Sequence, residues 1–427
     1  MKYIKKIKVI HIIIFLFFFI NLFFLTNFPF IHSDEAWLSG LSRNILQKEN
    51  LAVTESFFDL YPRHPHAIKI LFHLLQIVFI KLSGYNIYTF RLISLLAATG
   101  TLYLFYKITK NFTDNYILTY MATIMMGLDI QFIYASHFAR QEIILLLVLL
   151  IAFYYFLFRY SPQDSIWHDI LMGLILGSGI GIHPNSFVIA LPFIFIYTYK
   201  LFTDNKYTLS NYLTFNGILG LIALIFIILS FKFDPNFIQN YSSYGQNLGV
   251  FSSILTKIDR IIYFYKKLYY GVSGTYYTPP IKFQFVIFGL TFLYSSLQLF
   301  FKKNQKNILL ILMFLGINTG FVLIGRYNQT GIIFIFPICY LLILNLISCL
   351  KMKYIKYGYI IIISIIVVLA FNTTSTIIED SHYNYDNYLK EISKVVDKNN
   401  RVLANLNSDY YFNNDKLLDY RNLAYLK

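Results

Sequence analysis

The chain has 427 residues, 57% of them hydrophobic and only 13% charged, with a mean hydropathy of +0.56. Soluble domains carry about 25% charged residues, so this composition excludes an ordinary soluble enzyme and points to an all-α polytopic membrane protein. The formal charge of +15 excludes little by itself, because the lysines gather in short loops between apolar runs; that placement is a topology signal, and no nucleic-acid partner is expected.

In chain order, "MKYIKKIKVI" leads into an apolar run over 10–30. The run is too long for a signal peptide and no small-residue cleavage site follows, so it reads as a retained first helix. A lipid-spanning helix needs about 20 apolar residues. Further spans are predicted at 88–108, 116–135, 141–158, 168–182, 184–200, 212–231, 283–301, 307–324, 329–349 and 354–371, about 11 in all. Cys339 and Cys349 fall in one apolar run, which argues against a disulfide framework.

One apolar stretch, "HAIKILFHLLQIVFIKLSG" at 66–84, carries Lys69, His73, Gln76 and Lys81. If it lies along the interface, one side of the membrane collects Lys2, Lys5, Lys6, Lys8, Lys107, Lys110, Arg159, Lys200, Lys206, Lys302, Lys303, Lys306, Lys351, Lys353 and Lys356. If it crosses, "KKNQKN" and "KMKYIK" move outside. The positive-inside rule favours the first arrangement. It puts the N-terminus in the cytoplasm and the C-terminus outside, with long outer segments at 31–87 and 232–282. The expected organisation is a transmembrane unit over 1–371 and a small extracytoplasmic α/β region over 372–427. The loop "YYGVSGTYYTPP" at 269–280 has the Gly and Pro content of a mobile segment near a site.

Under this topology the ionisable residues at span ends fall on one face: Asp34 and Glu35, Arg63 and His64, Arg91, Arg140 and Glu142, His183, and Arg326. Singly, each has a plainer role as a solvated helix exit, a snorkelling arginine or a turn residue. Together they supply two acidic centres among several cations, and ionisable groups near a membrane mark sites. An anionic leaving group such as a lipid phosphate needs Arg, His or a metal to take up developing charge. An acceptor hydroxyl needs a carboxylate base. A second carboxylate with a histidine can hold a divalent ion.

The ordered set "SDEAWLSGLSRNIL", "RHPHAIKILFHLLQIVFIKLSG", "YTFRLISLLAATGTLYLFYKITK", "ASHFARQEIILLL" and "GIHPNSFVIALP" resembles membrane glycosyltransferases of the GT-C fold, in the branch of protein O-mannosyltransferases and lipid A aminoarabinose transferases. The resemblance covers residues 10 to 200. It implies a sugar donor carried on a polyprenyl phosphate and inverting transfer of a hexosyl or pentosyl group to a lipid, polysaccharide or protein acceptor, on the extracytoplasmic face of a bacterial inner (plasma) membrane. It carries the acceptor-activating carboxylate onto Asp34, with Glu35 as the alternative, and the second acidic residue onto Glu142. Arg63, His64, Arg91, Arg140 and Arg326 become candidates for donor phosphate, and Glu142 with His183 for a divalent metal. Where the family often has His-Pro-Pro or Lys-Pro-Pro, this chain has His64-Pro65-His66. The rival readings are a transporter or flippase, which would need charges near mid-membrane and broken helices, and a polymerase of lipid-linked glycans.

Overall fold

The computed structural model describes residues 9–55, 63–162, 165–247, 250–301, 304–325, 328–350, 354–381, 384–413 and 415–425. The expectation placed on Arg326 falls outside them. Helix α1, Val9–Phe23, is followed by a tight exit loop and then α2, Ser33–Lys48, and α3, Ile70–Ser83. Next come α4, Ile87–Phe112, α5, Tyr116–Gly127, α6, Ile130–His137, and α7, Glu142–Phe158. Then follow α8, Trp167–Gly177, α9, Phe187–Thr203, α10, Leu209–Phe233, α11, Phe237–Asn247, and α12, Ile254–Tyr269. The chain continues through α13, Lys282–Phe301, α14, Gln305–Ile324, α15, Phe336–Ser348, α16, Ile355–Asp380, and α17, Tyr385–Val395. Strands β1, Val402–Ala404, and β2, Leu417–Asp419, pair in parallel near the C-terminal end.

Among the described residues, seven helices are long and apolar enough to cross a membrane, or eight if the bent pair α5 and α6 counts as one span. This chain is an integral membrane protein. Helices α1 and α7 are shorter apolar helices, and α8 runs on into a 3-10 turn over Ser178–Gly181. Each predicted span therefore has a helical counterpart. Helix α3, with 14 residues, is about 21 Å long at 1.5 Å per residue. That is short of a hydrocarbon core of about 30 Å, as are α1 and α7, which fall in the same class of shorter apolar helices.

The predicted single span at 116–135 is a helix pair bent by 59°. Asp129 causes the break. Its Oδ1 accepts the backbone N–H groups of Gln131 (2.8 Å) and Phe132 (3.3 Å), so it starts α6 anew as an N-cap. Its Oδ2 accepts from Tyr340 (2.5 Å) and Gln284 (3.2 Å). The buried carboxylate is thus saturated by four donors.

Small residues set the closest helix crossings. A Cβ on Gly316 would lie 2.5 Å from Pro192 Cα, and one on Gly320 would lie 2.8 Å from Val188 Cα, so α14 can meet α9 this closely only with glycine at both positions. Gly173 and Gly177 do the same for α8 against Ile218 and Ile222 of α10.

Helix α16 runs past the expected boundary at 371. The chain beyond it docks on α2, where Leu406, Phe412 and Leu417 bury against Ala36 and Trp37. Asp409 accepts from Arg43 (3.0 Å) and Tyr85 (2.5 Å), and Tyr410 shares a hydrogen bond with Ser39 (2.9 Å).

Candidate active site

The first turn of α2 is built by a reciprocal cap. His32 Nδ1 accepts the Asp34 N–H (3.1 Å), and Glu35 Oε2 accepts the His32 N–H (2.9 Å). This rigid start gives the neighbouring carboxylates different directions. Glu35 is fully buried against Arg91, itself fully buried, with Nε and Nη2 each donating to one carboxylate oxygen at 2.9 Å. Ala139 N–H adds a fourth bond to Glu35 (3.0 Å). Arg91 Nη1 then satisfies the carbonyls of Leu25 (3.1 Å) and Pro29 (2.8 Å) in the exit loop after α1. Two of the sequence expectations are therefore corrected here. Glu35 as alternative base and Arg91 as phosphate ligand are each other's partners, closed off from any ligand, and they fasten α1, α2, α4 and the α6–α7 loop together.

Asp34 faces the other way. Its Oδ2 accepts from Arg140 Nη1 and from the Tyr276 hydroxyl. Arg140 bridges onward to Glu142, with Nε to Oε2 at 3.2 Å and Nη2 to Oε1 at 3.1 Å. Thr330 donates to Glu142 Oε1 at 2.6 Å and Asn328 at 3.5 Å. Asp34, Arg140 and Glu142, drawn from two separated segments, thus form one nearly buried unit. Burial works to raise the Asp34 pKa, but the charge of Arg140, then His32, the Tyr276 hydroxyl and Arg421 outweigh it, holding the carboxyl below its ordinary value of 3.8.

The loop before α13 closes over this unit. The Thr275 carbonyl accepts from His32 Nε2 (2.7 Å), and the Tyr276 ring lies 4.7 Å from the His32 ring and 4.7 Å below the Arg140 guanidinium.

One turn on from Asp34, Trp37 opens a cleft of about 290 Å³, whose lining includes Glu55, Arg63, His64, His66, Lys69 and Asp234. Lys69 Nζ and the Arg63 guanidinium each sit 5.3 Å from the Trp37 ring. Burial lowers the Lys69 pKa, Glu55 and Asp34 oppose that shift, and Arg140 and Arg63 add to it. His64 is exposed and lies 3.8 Å from Asp234. A second, apolar groove of about 440 Å³ between α8, α9 and α10 shares Ile68, Pro184 and Tyr241 with the cleft.

The metal expectation does not fit the residues present. Glu142 already takes Arg140, Thr330 and Asn328. His183 Nδ1 accepts the Asn185 N–H at 3.0 Å, so in the neutral ring Nε2 carries the hydrogen. Among the described residues, no three of His, Cys, Asp or Glu converge as a ligand set.

The structure therefore unites Asp34, Arg140 and Glu142, places Arg63 and His64 in the adjoining cleft, and removes Glu35 and Arg91. Sequence reasoning missed Tyr276, Thr330 and Lys69. Lys69 carried a signal, a lysine inside an apolar run beside a membrane, but the hydroxyls had none among 37 tyrosines.

Residues 63–231 match the family described as dolichyl-phosphate-mannose-protein mannosyltransferase. No curated protein sequence matches the chain. Among solved structures, ArnT from Cupriavidus metallidurans bound to undecaprenyl phosphate superposes with a TM-score of 0.61 at 12% identity, covering 94% of this chain and 84% of ArnT. The archaeal oligosaccharyltransferase AglB from Archaeoglobus fulgidus, in complex with an inhibitory peptide and a dolichol-phosphate, gives 0.56 at 11% identity, covering 92% of this chain and 59% of AglB. The chain thus shares the fold of these membrane proteins, and its residues 63–231 carry the mannosyltransferase family pattern.

Proposed function

We propose that the chain transfers a glycosyl group from a polyprenyl-phosphate donor to a hydroxyl on a lipid, glycan or protein, at the extracytoplasmic face of a bacterial plasma membrane. The observation that carries this reading is the continuity of a polar cleft, where Lys69 and Arg63 stand with Glu55 and Asp234, and an apolar groove that shares three of its residues. That pairing suits a ligand with an anionic head and a long hydrocarbon tail. Asp34 lies one helical turn from the cleft wall and stays ionised, so it is the group to take the acceptor's proton. Arg140 sets its direction, and Glu142 sets that of Arg140. Lys69 and Arg63 receive the charge that collects on phosphate as the glycosidic bond breaks. Attack opposite the leaving phosphate inverts the anomeric carbon.

The flippase reading draws support from the broken helix at Asp129, but that carboxylate is saturated by protein donors and caps α6. The test is mass analysis of surface glycolipids and glycoproteins from cells with and without the protein. The proposal expects one sugar modification to disappear while its lipid-linked donor accumulates. Unchanged glycans would contradict it.

A further inference from the structure

His66 follows His64-Pro65 and lines the cleft beside Arg63 and Lys69. Its Nδ1 lies 3.0 Å from the Ile68 carbonyl oxygen. A carbonyl oxygen only accepts, so Nδ1 carries the hydrogen and the neutral ring leaves Nε2 as a bare acceptor. Tyr241 stands edge-on to the ring at 5.3 Å and Phe237 packs at 6.4 Å, so α11 holds its orientation. The charged and titratable groups around it are Arg63, His64 and Lys69 on its own segment, Glu55 before it, His73 on α3, Asp234 after α10, and Tyr241 on α11. Burial, followed by Lys69 and Arg63, pushes the imidazole down to about 4, with the Ile68 carbonyl opposing.

This arrangement conflicts with a phosphate in the same cleft. An ionised phosphate oxygen only accepts, so it cannot pair with a lone-pair nitrogen, and tautomer exchange would break the bond to Ile68. Protonation at Nε2 removes both conflicts, because both ring nitrogens then donate, one to Ile68 and one to phosphate. The anion also offsets Lys69 and Arg63, two of the charges that keep the empty ring neutral.

We propose that His66 takes up one proton when a phosphate monoester occupies the cleft, so that the lipid phosphate left by the reaction is held as a proton-linked anion. This rests on the reading of the cleft as the donor site. In the transfer step the bond between the anomeric carbon and oxygen breaks, and its electron pair stays on the phosphate oxygen. The acceptor oxygen bonds to the carbon, and its proton passes to Asp34. The headgroup changes from a singly charged diester to a monoester with one further negative charge, and the proton that His66 gains comes from solvent.

The test is calorimetric titration of the purified full chain with farnesyl phosphate near pH 6.5, in two buffers of different ionisation enthalpy, which reports protons taken up per ligand. His66→Asn keeps an amide donor near Ile68 and cannot titrate; His66→Gln is the second variant should the first fail to fold. The variant should take up about one proton fewer than the unmodified chain. Its affinity should also lose up to about tenfold of pH dependence per unit. Equal proton uptake in the two proteins overturns this inference and leaves the donor-site reading intact. Farnesyl phosphate affinity unchanged by Lys69→Ala overturns both. Inorganic phosphate should bind far more weakly, having no tail for the groove; equal affinity would overturn the assignment to a lipid headgroup.

Discussion

Asp34 and Glu35 are adjacent, but successive residues on a helix point about 100° apart, and each meets a different arginine. Glu35→Gln removes one partner of a fully buried, doubly hydrogen-bonded pair and leaves Arg91 uncompensated. Such a break costs about 3–5 kcal/mol, so this variant should show a clear fall in unfolding temperature in detergent. Asp34→Asn keeps its size and should unfold close to the unmodified chain. The reverse ranking would assign the structural role to the wrong carboxylate. A second prediction concerns pH. The Asp34 carboxyl is held below 3.8 chiefly by Arg140 against burial, so its ionised form persists at pH 4 and is lost only as pH falls further. In Arg140→Ala burial prevails, and the acid limb of transfer should move upward. Arg140→Lys keeps the charge but not the two-armed geometry and should move it less. An acid limb indifferent to both changes would separate Arg140 from Asp34. The cluster of Asp34, Arg140 and Glu142 was legible in the sequence because charge is rare in this chain and all three stand at helix ends. The closure of Glu35 on Arg91 was not, because a bidentate pair 56 residues apart leaves no local spacing and both members look like site charges.

At the scale of elements, hydropathy located a helix at each predicted span because lipid demands long apolar runs, and seven or eight of them, among the described residues, are long and apolar enough to cross. The ends were less legible. Helix α1 stops at Phe23 although apolar residues continue to Phe30, since the following loop finds partners in Arg91. The α5–α6 break was hidden because one aspartate inside an apolar run does not announce that it will cap a new helix. Helix approach depends on Gly316 and Gly320 against Pro192 and Val188. Gly316→Leu puts a side chain where a backbone lies and should part α9 from α14, with loss of folded protein on size exclusion. Gly217→Leu, whose Cβ would meet nothing within 4 Å, should be tolerated. Equal behaviour of the two would mean the α9–α14 contact is looser than described.

At the scale of the whole molecule, lysine placement and the one-sided site agree on an orientation. A cysteine at Lys306 should be shielded from a membrane-impermeant thiol reagent in intact cells, and one at Asn399 should be labelled; both positions are exposed. The opposite pattern would invert the topology and move the site to the cytoplasm. The C-terminal region was legible as a helix followed by a strand, but its seat was not, because Asp409 reaches Arg43 across 366 residues. That seat, on the helix that carries Asp34, ties the C-terminal region to the site. The measurement that bears most directly on the account is sugar transfer from purified polyprenyl-phosphate donors by the chain reconstituted in vesicles, comparing the unmodified protein with Asp34→Asn. Loss of a positioned base predicts a fall of roughly 10²- to 10⁴-fold with donor binding retained, because the proposed phosphate contacts are Lys69 and Arg63. Transfer by Asp34→Asn near the unmodified rate would contradict the account.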